Sequence, residues 1–265
     1  ISKIKFNKKI NIYIFEIPIN KQWPQGWTNI DKLYDYGSPI SLLALESNSL
    51  KQRDIFYVKD IIYNYLKNKF PNAKINISIS NYKGKYFKNE KLLHEIKSNP
   101  LISLITLANA ESHNFTAESI FKNASKTWYL NDYSVLKKWL RSKGFNDNSL
   151  YFSDASGLSR NNRVTTKSLA LFLHKMRYRS DFSIYKSSLS ILGIRGTLGN
   201  RMINSEVAGK FIGKTGTLSN VFALSGYLKK DDETFTLSII QNNQEVSFNK
   251  IFNLLDEIYK VKKCN

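Results

Sequence analysis

The chain has 265 residues, 42% of them hydrophobic, with 40 Lys and Arg against 21 Asp and Glu and a formal net charge of +19. That length supports one sizeable core, or one main domain with a smaller piece, and no run of about 18 apolar residues offers a transmembrane helix. One cysteine, Cys264, excludes an internal disulfide, and with only three histidines a Cys/His metal site is not expected. The positive charge fits attraction to a polyanion such as nucleic acid, an anionic membrane or a cell-wall polymer. It also fits a chain rich throughout in Lys, Asn and Ile, which is the reading we prefer. No Arg/Lys stripe with interleaved aromatics marks a nucleic-acid groove.

The first residue is Ile1, and ISKIKFNKKINIYIFEIP alternates polar and apolar residues as a strand does. It has no signal-peptide apolar region, so we expect the chain to begin inside a folded unit with polypeptide upstream. A loop rich in turn residues and aromatics follows, then a second alternating segment near Ile40–Leu45. Ile55, Val58, Ile61, Ile62 and Leu66 recur at helical spacing, and Pro71 supports a stop just after them. KINISIS (74–80) alternates as a strand. Residues 89–125 read as mostly helical, with Pro100 opening one helix and another starting just after Ser112-His113-Asn114. DYSVLKKWLRSKGF predicts an amphipathic helix ending at Gly144. TTKSLALFLHKMR predicts another, capped by Thr165 or Thr166. After Gly209 come three strands, KFIGKTG, VFALSGYLKK and TFTLSIIQN, the last two joined by a tight polar turn at Lys229–Glu233. A C-terminal helix closes the chain, with Phe248, Ile251, Phe252, Leu255, Ile258 and Tyr259 on one face. Helices, then an antiparallel sheet, then a helix packed on it describe a mixed α and β domain with a helical subdomain. There is no internal repeat and no low-complexity tract.

Three short features stand apart from this scaffold. Ser112-His113-Asn114 sits at a helix entry, where Ser-x-Asn is most often a cap. SDASGLSRNNRVT (153–165) is a loop of small residues with an aspartate and two arginines. Lys214-Thr215-Gly216-Thr217 lies on a predicted strand, although such residues stabilise a strand poorly. Either that strand is a bent edge with no role, or its backbone is kept bare so that something can lie along it. Each feature alone is weak, and their weight comes from order, spacing and context.

Ser-x-x-Lys, a Ser-Asp-Asn-type element and Lys-Thr-Gly form the signature of the penicillin-recognising serine enzymes. SHNFTAESIF, SDASGLSRNNRVT, GIRGTLGNRM and GKTGTLSNVFALSGYL resemble, in that order, segments of the D-alanyl-D-alanine carboxypeptidase/endopeptidase family, the low-molecular-mass class C penicillin-binding proteins. WPQGW…YDYGSPISLLAL resembles a further stretch of the same family. The resemblance implies a serine β-lactamase/penicillin-binding transpeptidase-like α+β fold, with an antiparallel sheet, flanking helices and a helical subdomain. Residues 1–52 would be the remnant of a β-rich accessory domain, and 53–265 a peptidase domain lacking its N-terminal segment. It implies a serine-type D-Ala-D-Ala peptidase acting on peptidoglycan stem peptides through an acyl-enzyme. Ser112 would relay a proton to the leaving amine, Asn114 would bond the substrate amide, and Lys214 would supply charge near Ser112 and the substrate carboxylate. Thr215 and Thr217 would offer hydroxyls to that carboxylate, and the Thr217 N–H would form half of an oxyanion hole. Gly213 and Gly216 would leave the strand bare for an added peptide strand. Arg160 would meet an anionic group of the peptide, against the alternative of a loop-bracing hydrogen bond. Arg163 and Arg201 are read as structural, and His113 as a spacer facing solvent. The implied location is extracytoplasmic, in the periplasm, with room for peripheral membrane contact. β-Lactams would inhibit the complete enzyme, and neither a cofactor nor a nucleic-acid partner is implied.

The family's nucleophile is not evident. Ser-x-x-Lys strings occur at Ser2–Lys5, Ser119–Lys122, Ser134–Lys137 and Ser183–Lys186, as chance allows in a Lys- and Ser-rich chain, and we reject all four, Ser2 last. The chain is therefore expected to be the C-terminal portion of such an enzyme and inactive alone. The alternatives are a stem-peptide-binding pseudoenzyme and, less favoured because of the WPQGW region and the SGLSR loop, a related serine β-lactamase.

Overall fold

The computed structural model describes residues 9–49, 55–81, 91, 94–126, 128, 131–242 and 247–261. Ser2 and Cys264 lie outside the described residues. The chain divides into two compact units, one of Ile1–Lys97 with Glu118–Asp132, the other of Ser98–Ala117 with Tyr133–Asn265.

In the first unit, β1 (Lys9–Glu16) pairs in parallel with β2 (Lys74–Asn81), Ile10 opposite Ile75 and Ile14 opposite Ile79. A parallel pair needs a crossover, and α1 (Ile55–Lys69) lies between the two strands in sequence. Its Val58 and Leu66, about two turns apart, are buried. The boundary expected at 52/53 lies inside this unit, where β1 and β2 pair across it.

The strand expected near Ile40–Leu45 does not form. Side chains take the backbone groups that a sheet would have used. The buried Glu16 carboxylate accepts from Leu42 N–H (2.8 Å) and Leu43 N–H (3.2 Å), and Asn48 Nδ2 donates to Pro39 O at 2.7 Å and Ser41 Oγ at 2.6 Å. Burial still raises the Glu16 carboxyl above its ordinary value, against the lowering effect of these bonds. Residues 94–100, read as helical, also carry no regular structure. They are exposed, Ile96 included, and Pro100 disfavours a helical residue before it.

The second unit holds α2 (Leu101–Ala110), the start of α3 (Asn114–Ser125), α4 (Ser134–Ser142), α5 (Thr166–Met176), α6 (Phe182–Ser187), and a sheet of β3 (Ser190–Ile191), β4 (Phe211–Leu218), β5 (Val221–Lys230) and β6 (Glu233–Asn242), closed by α7 (Phe248–Lys260). The cap of α5 is Thr165, which accepts from Ser168 N. The sheet is antiparallel in the order β3-β4-β5-β6. Strand alternation sorts its two faces. Phe211, Leu224 and Leu228 meet Ile251, Phe252 and Leu255 of α7. Ile212 and Tyr227 pack with Leu173 of α5 and Leu189, and Tyr227 Oη donates to Leu173 O at 2.9 Å.

β3 covers only the first part of β4, pairing Ser190 with Gly213 and Ile191 with Ile212. From Lys214 to Leu218 no described strand lies on that side of β4. Leu192 N–H donates to Phe211 O at 3.0 Å, so odd-numbered residues of β4 turn their backbone groups toward the β3 side. By the same alternation the N–H groups of Thr215 and Thr217 point out of the open stretch.

The two glycines of β4 differ in what they allow. A Cβ on Gly213 would lie 2.4 Å from Ser225 O and 2.7 Å from the Phe211 ring, whereas one on Gly216 would meet Ala223 Cβ at an ordinary 3.4 Å. Internal packing therefore explains Gly213 and not Gly216. Gly213→Ala is expected to lower stability by about 2 kcal/mol, as overpacking does, and Gly216→Ala to stay within about 0.5 kcal/mol of the native chain. Urea unfolding midpoints of the two variants check this contrast.

Candidate active site

Ser112 and Lys214, 102 positions apart in sequence, meet in the second unit, where Lys214 Nζ donates to Ser112 Oγ at 2.7 Å. The same ammonium donates to Thr215 O at 2.8 Å. Among the described residues it makes no ion pair. Burial lowers the Lys214 pKa from its ordinary value to about 8, as expected for an ammonium drawn from water without a carboxylate.

Ser112 is presented by the turn from α2 to α3. Its φ is +59°, in the left-handed region, which lets His113 N–H reach back to Leu107 O at 3.3 Å. Glycine is the usual residue for such a helix end, and a side chain held there costs about 1–3 kcal/mol, a strain that clusters at functional sites. His113 is not a solvent-facing spacer. It is half-buried, and its Nδ1 accepts from Thr116 N (3.3 Å) and lies 2.7 Å from Thr116 Oγ1, so the imidazole caps α3. Burial lowers its pKa, in keeping with a ring nitrogen that must stay unprotonated to accept. Asn114 is the first residue of α3, half-buried and two positions from Ser112.

Thr215 and Thr217 share one face of β4, Thr215 buried and Thr217 exposed. Thr215 Oγ1 lies 2.8 Å from Thr197 Oγ1, which lies 3.2 Å from Ser190 Oγ. Ser190 Oγ donates to Ala110 O, at the end of α2, at 3.0 Å. Asn109 Nδ2 donates to Ser188 Oγ at 2.8 Å, a second tie between α2 and the approach to β3. A Cβ on Gly196 would stand 2.6 Å from both Ala110 O and Ser190 Oγ, so only glycine admits this contact. Sequence reading missed Ser190 altogether. Thr197 lay in the GIRGTLGNRM segment but was given no role.

The 153–165 loop is built around the buried Asp154. Its carboxylate accepts from Gly157 N (2.9 Å), Ser159 N (2.6 Å), Asn162 Nδ2 (2.7 Å) and Ser156 Oγ (3.2 Å). That loop presents Arg160, whose guanidinium donates to Ser219 O at 2.9 Å and Ser219 Oγ at 3.4 Å, just past the end of β4. The contact is a loop brace. Arg163 bonds Arg160 O and Asn162 O, and Arg201 stacks on Phe248 at 4.7 Å. Of the rejected serines, Ser119 has a buried Oγ with no hydrogen-bond partner, while the lysine three positions on, Lys122, bonds Asn131 Oδ1 at 3.1 Å. Among the described residues no cluster of His, Cys, Asp and Glu could hold a metal ion, and no helix is long and apolar enough to cross a membrane.

A half-buried ammonium without a carboxylate makes stability depend on pH. The folded Lys214 titrates near 8 and an unfolded lysine near about 10.4, so between these values the unfolded chain holds more protons and stability rises with pH. Below pH 8 the cost of the charge is fully present. Lys214→Met is therefore expected to melt higher than the native chain at pH 7, with the gap narrowing as pH rises from about 8 toward 10. Thermal melts across that range check the sign.

Residues 47–260 match the model of the D-Ala-D-Ala carboxypeptidase 3 (S13) family. The chain is 28% identical over 196 residues to penicillin-sensitive carboxypeptidase A of Dictyostelium discoideum, covering 69% of this chain and 37% of that protein. It is 28% identical over 146 residues to D-alanyl-D-alanine carboxypeptidase DacB of Haemophilus influenzae, covering 52% of this chain and 30% of that one. The crystal structure of penicillin-binding protein 4 (dacB) from Haemophilus influenzae superposes with a TM-score of 0.66 at 24% identity, covering 77% of this chain and 49% of that chain. That likeness is one of fold. The chain thus spans about a third of these two relatives and half of the matched structure.

Proposed function

The chain belongs to the D-Ala-D-Ala carboxypeptidase 3 (S13) family, and on that premise we propose that it is the part of a serine-type peptidase that holds the D-Ala-D-Ala end of a peptidoglycan stem peptide. The observation that carries this is the Lys214 ammonium bonded to Ser112 Oγ beside the uncovered stretch of β4. An unpaired cation next to free outward N–H groups suits a peptide that ends in a carboxylate. The substrate would lie along Lys214–Leu218 as an added strand, with Gly216 leaving room for it. Its carboxylate would meet Lys214 and the exposed Thr217 hydroxyl. Asn114 would bond the peptide amide.

The attacking serine and its lysine belong, in this proposal, to polypeptide other than these 265 residues. The Thr217 N–H would be one donor of the oxyanion hole, worth about 3–4 kcal/mol in the transition state. Because Lys214 donates to Ser112 Oγ, Ser112 keeps its own proton to give. It can pass that proton to the leaving amine and be resupplied from Lys214, whose pKa near 8 suits transfer close to neutral pH. The place of work would be the peptidoglycan, outside the cytoplasmic membrane, and β-lactams, as mimics of the same peptide end, would occupy the same edge.

Calorimetry tests the binding half directly. An N-acyl-D-Ala-D-Ala peptide is expected to bind at least about tenfold more tightly than its C-terminal carboxamide, a difference of about 1.4 kcal/mol. Gly216→Ala, which should fold normally, is expected to weaken the acid by a similar factor. Equal affinity for acid and carboxamide would refute the assignment of the edge.

A further inference from the structure

We propose that Thr197 is a positioning residue, the middle of a one-way hydroxyl chain that fixes the strand of Lys214 against the turn of Ser112. The contacts form a closed circuit. Lys214 Nζ bonds Ser112 Oγ and Thr215 O; Thr215, Thr197 and Ser190 are linked through their hydroxyls; and Ser190 bonds Ala110 O, two residues before Ser112. Each hydroxyl has one proton, and a carbonyl can only accept. Ser190 gives its proton to Ala110 O, so Thr197 must donate to Ser190, and Thr215 must donate to Thr197. The direction of two contacts that distance leaves open is fixed by the carbonyl at the end of the chain.

Two consequences follow for the site. Thr215 has no proton left for a ligand, so the donors facing a substrate carboxylate reduce to Lys214 and Thr217, in place of the pair of threonines expected from sequence. The chain also crosses from β4 to the end of α2 with both of its ends shielded: Ser190 is fully buried and Thr215 nearly so, while Thr197 between them is exposed. Breaking it would leave a buried hydroxyl unsatisfied and release the turn that holds Ser112 over Lys214. The catalytic meaning of this device rests on the peptidase reading. Its geometry does not, and the test reads the geometry alone.

Carbon-13 labelling at lysine Cε, with Lys214 identified by its loss in Lys214→Arg, gives the Lys214 titration by NMR in the 265-residue chain. Thr197→Val keeps the volume and removes the hydroxyl. It is expected to raise the Lys214 midpoint by about one pH unit or more toward the ordinary lysine value, because water reaches the ammonium. Thr197→Ser should restore the native midpoint, and Ser190→Ala, which cuts the same chain one link away, should reproduce the rise. An unmoved midpoint in both Thr197→Val and Ser190→Ala would overturn the proposal. If only Thr197→Val fails to fold, Ser190→Ala decides. If neither folds, the hydroxyls hold the core rather than the site, and the proposal fails.

Discussion

An ammonium group held at 2.7 Å from a serine hydroxyl, with no carboxylate to balance it, is the constraint around which the second unit is arranged. Such a charge is unfavourable away from water, and an ordinary strand would replace it. Its persistence is matched by features that are costly on their own. Ser112 occupies a left-handed conformation that glycine would fill more easily, and β4 leaves backbone N–H groups without a described strand beside them. In the proposed function, an extended peptide ending in an anion would balance the charge and pair the bare edge together, which is how binding energy is made available for positioning.

The rest of the unit keeps that arrangement rigid. α7 and α5 cover the two faces of the sheet, so β4 cannot shift without disturbing Phe211 on one side or Ile212 on the other. The hydroxyl chain from Thr215 to Ala110 O couples the strand to α2, and Asp154 gathers the loop whose Arg160 grips the turn after β4. Composition accounts for the net charge of +19, and in the proposed function the local Lys214 would carry the specific interaction.

Much of this was legible in the sequence. Periodicity gives the helices at 55–69, 134–142, 166–176 and 248–260, and alternating or β-branched and aromatic runs give the last three strands. Motif order alone singles out Lys214 and Ser112. The misses have physical causes. Ile40–Leu45 alternates like a strand, yet the Glu16 carboxylate takes its Leu42 and Leu43 N–H groups, a tertiary contact that no local pattern shows. β3 is two residues long and α6 is six, too short for periodicity to register. His113 looked like a spacer because a histidine cap has no distinctive spacing. Ser190 is one serine among several, and only its contact with Ala110 O marks it out. For Arg160 the sequence leaves open a ligand for an anion and a loop-bracing hydrogen bond, and its bond to Ser219 O is of the second kind.

The most direct measurement is a backbone amide NMR titration of the 265-residue chain with an N-acyl-D-Ala-D-Ala peptide. Pairing along the open stretch of β4 predicts that the amide signals of Thr215 and Thr217 move first and furthest, that their hydrogen exchange slows, and that the Lys214 side chain responds with them. Saturable binding that leaves Thr215, Thr217 and Lys214 unmoved would contradict the account, because the ligand would then lie elsewhere and the bare edge would need another explanation.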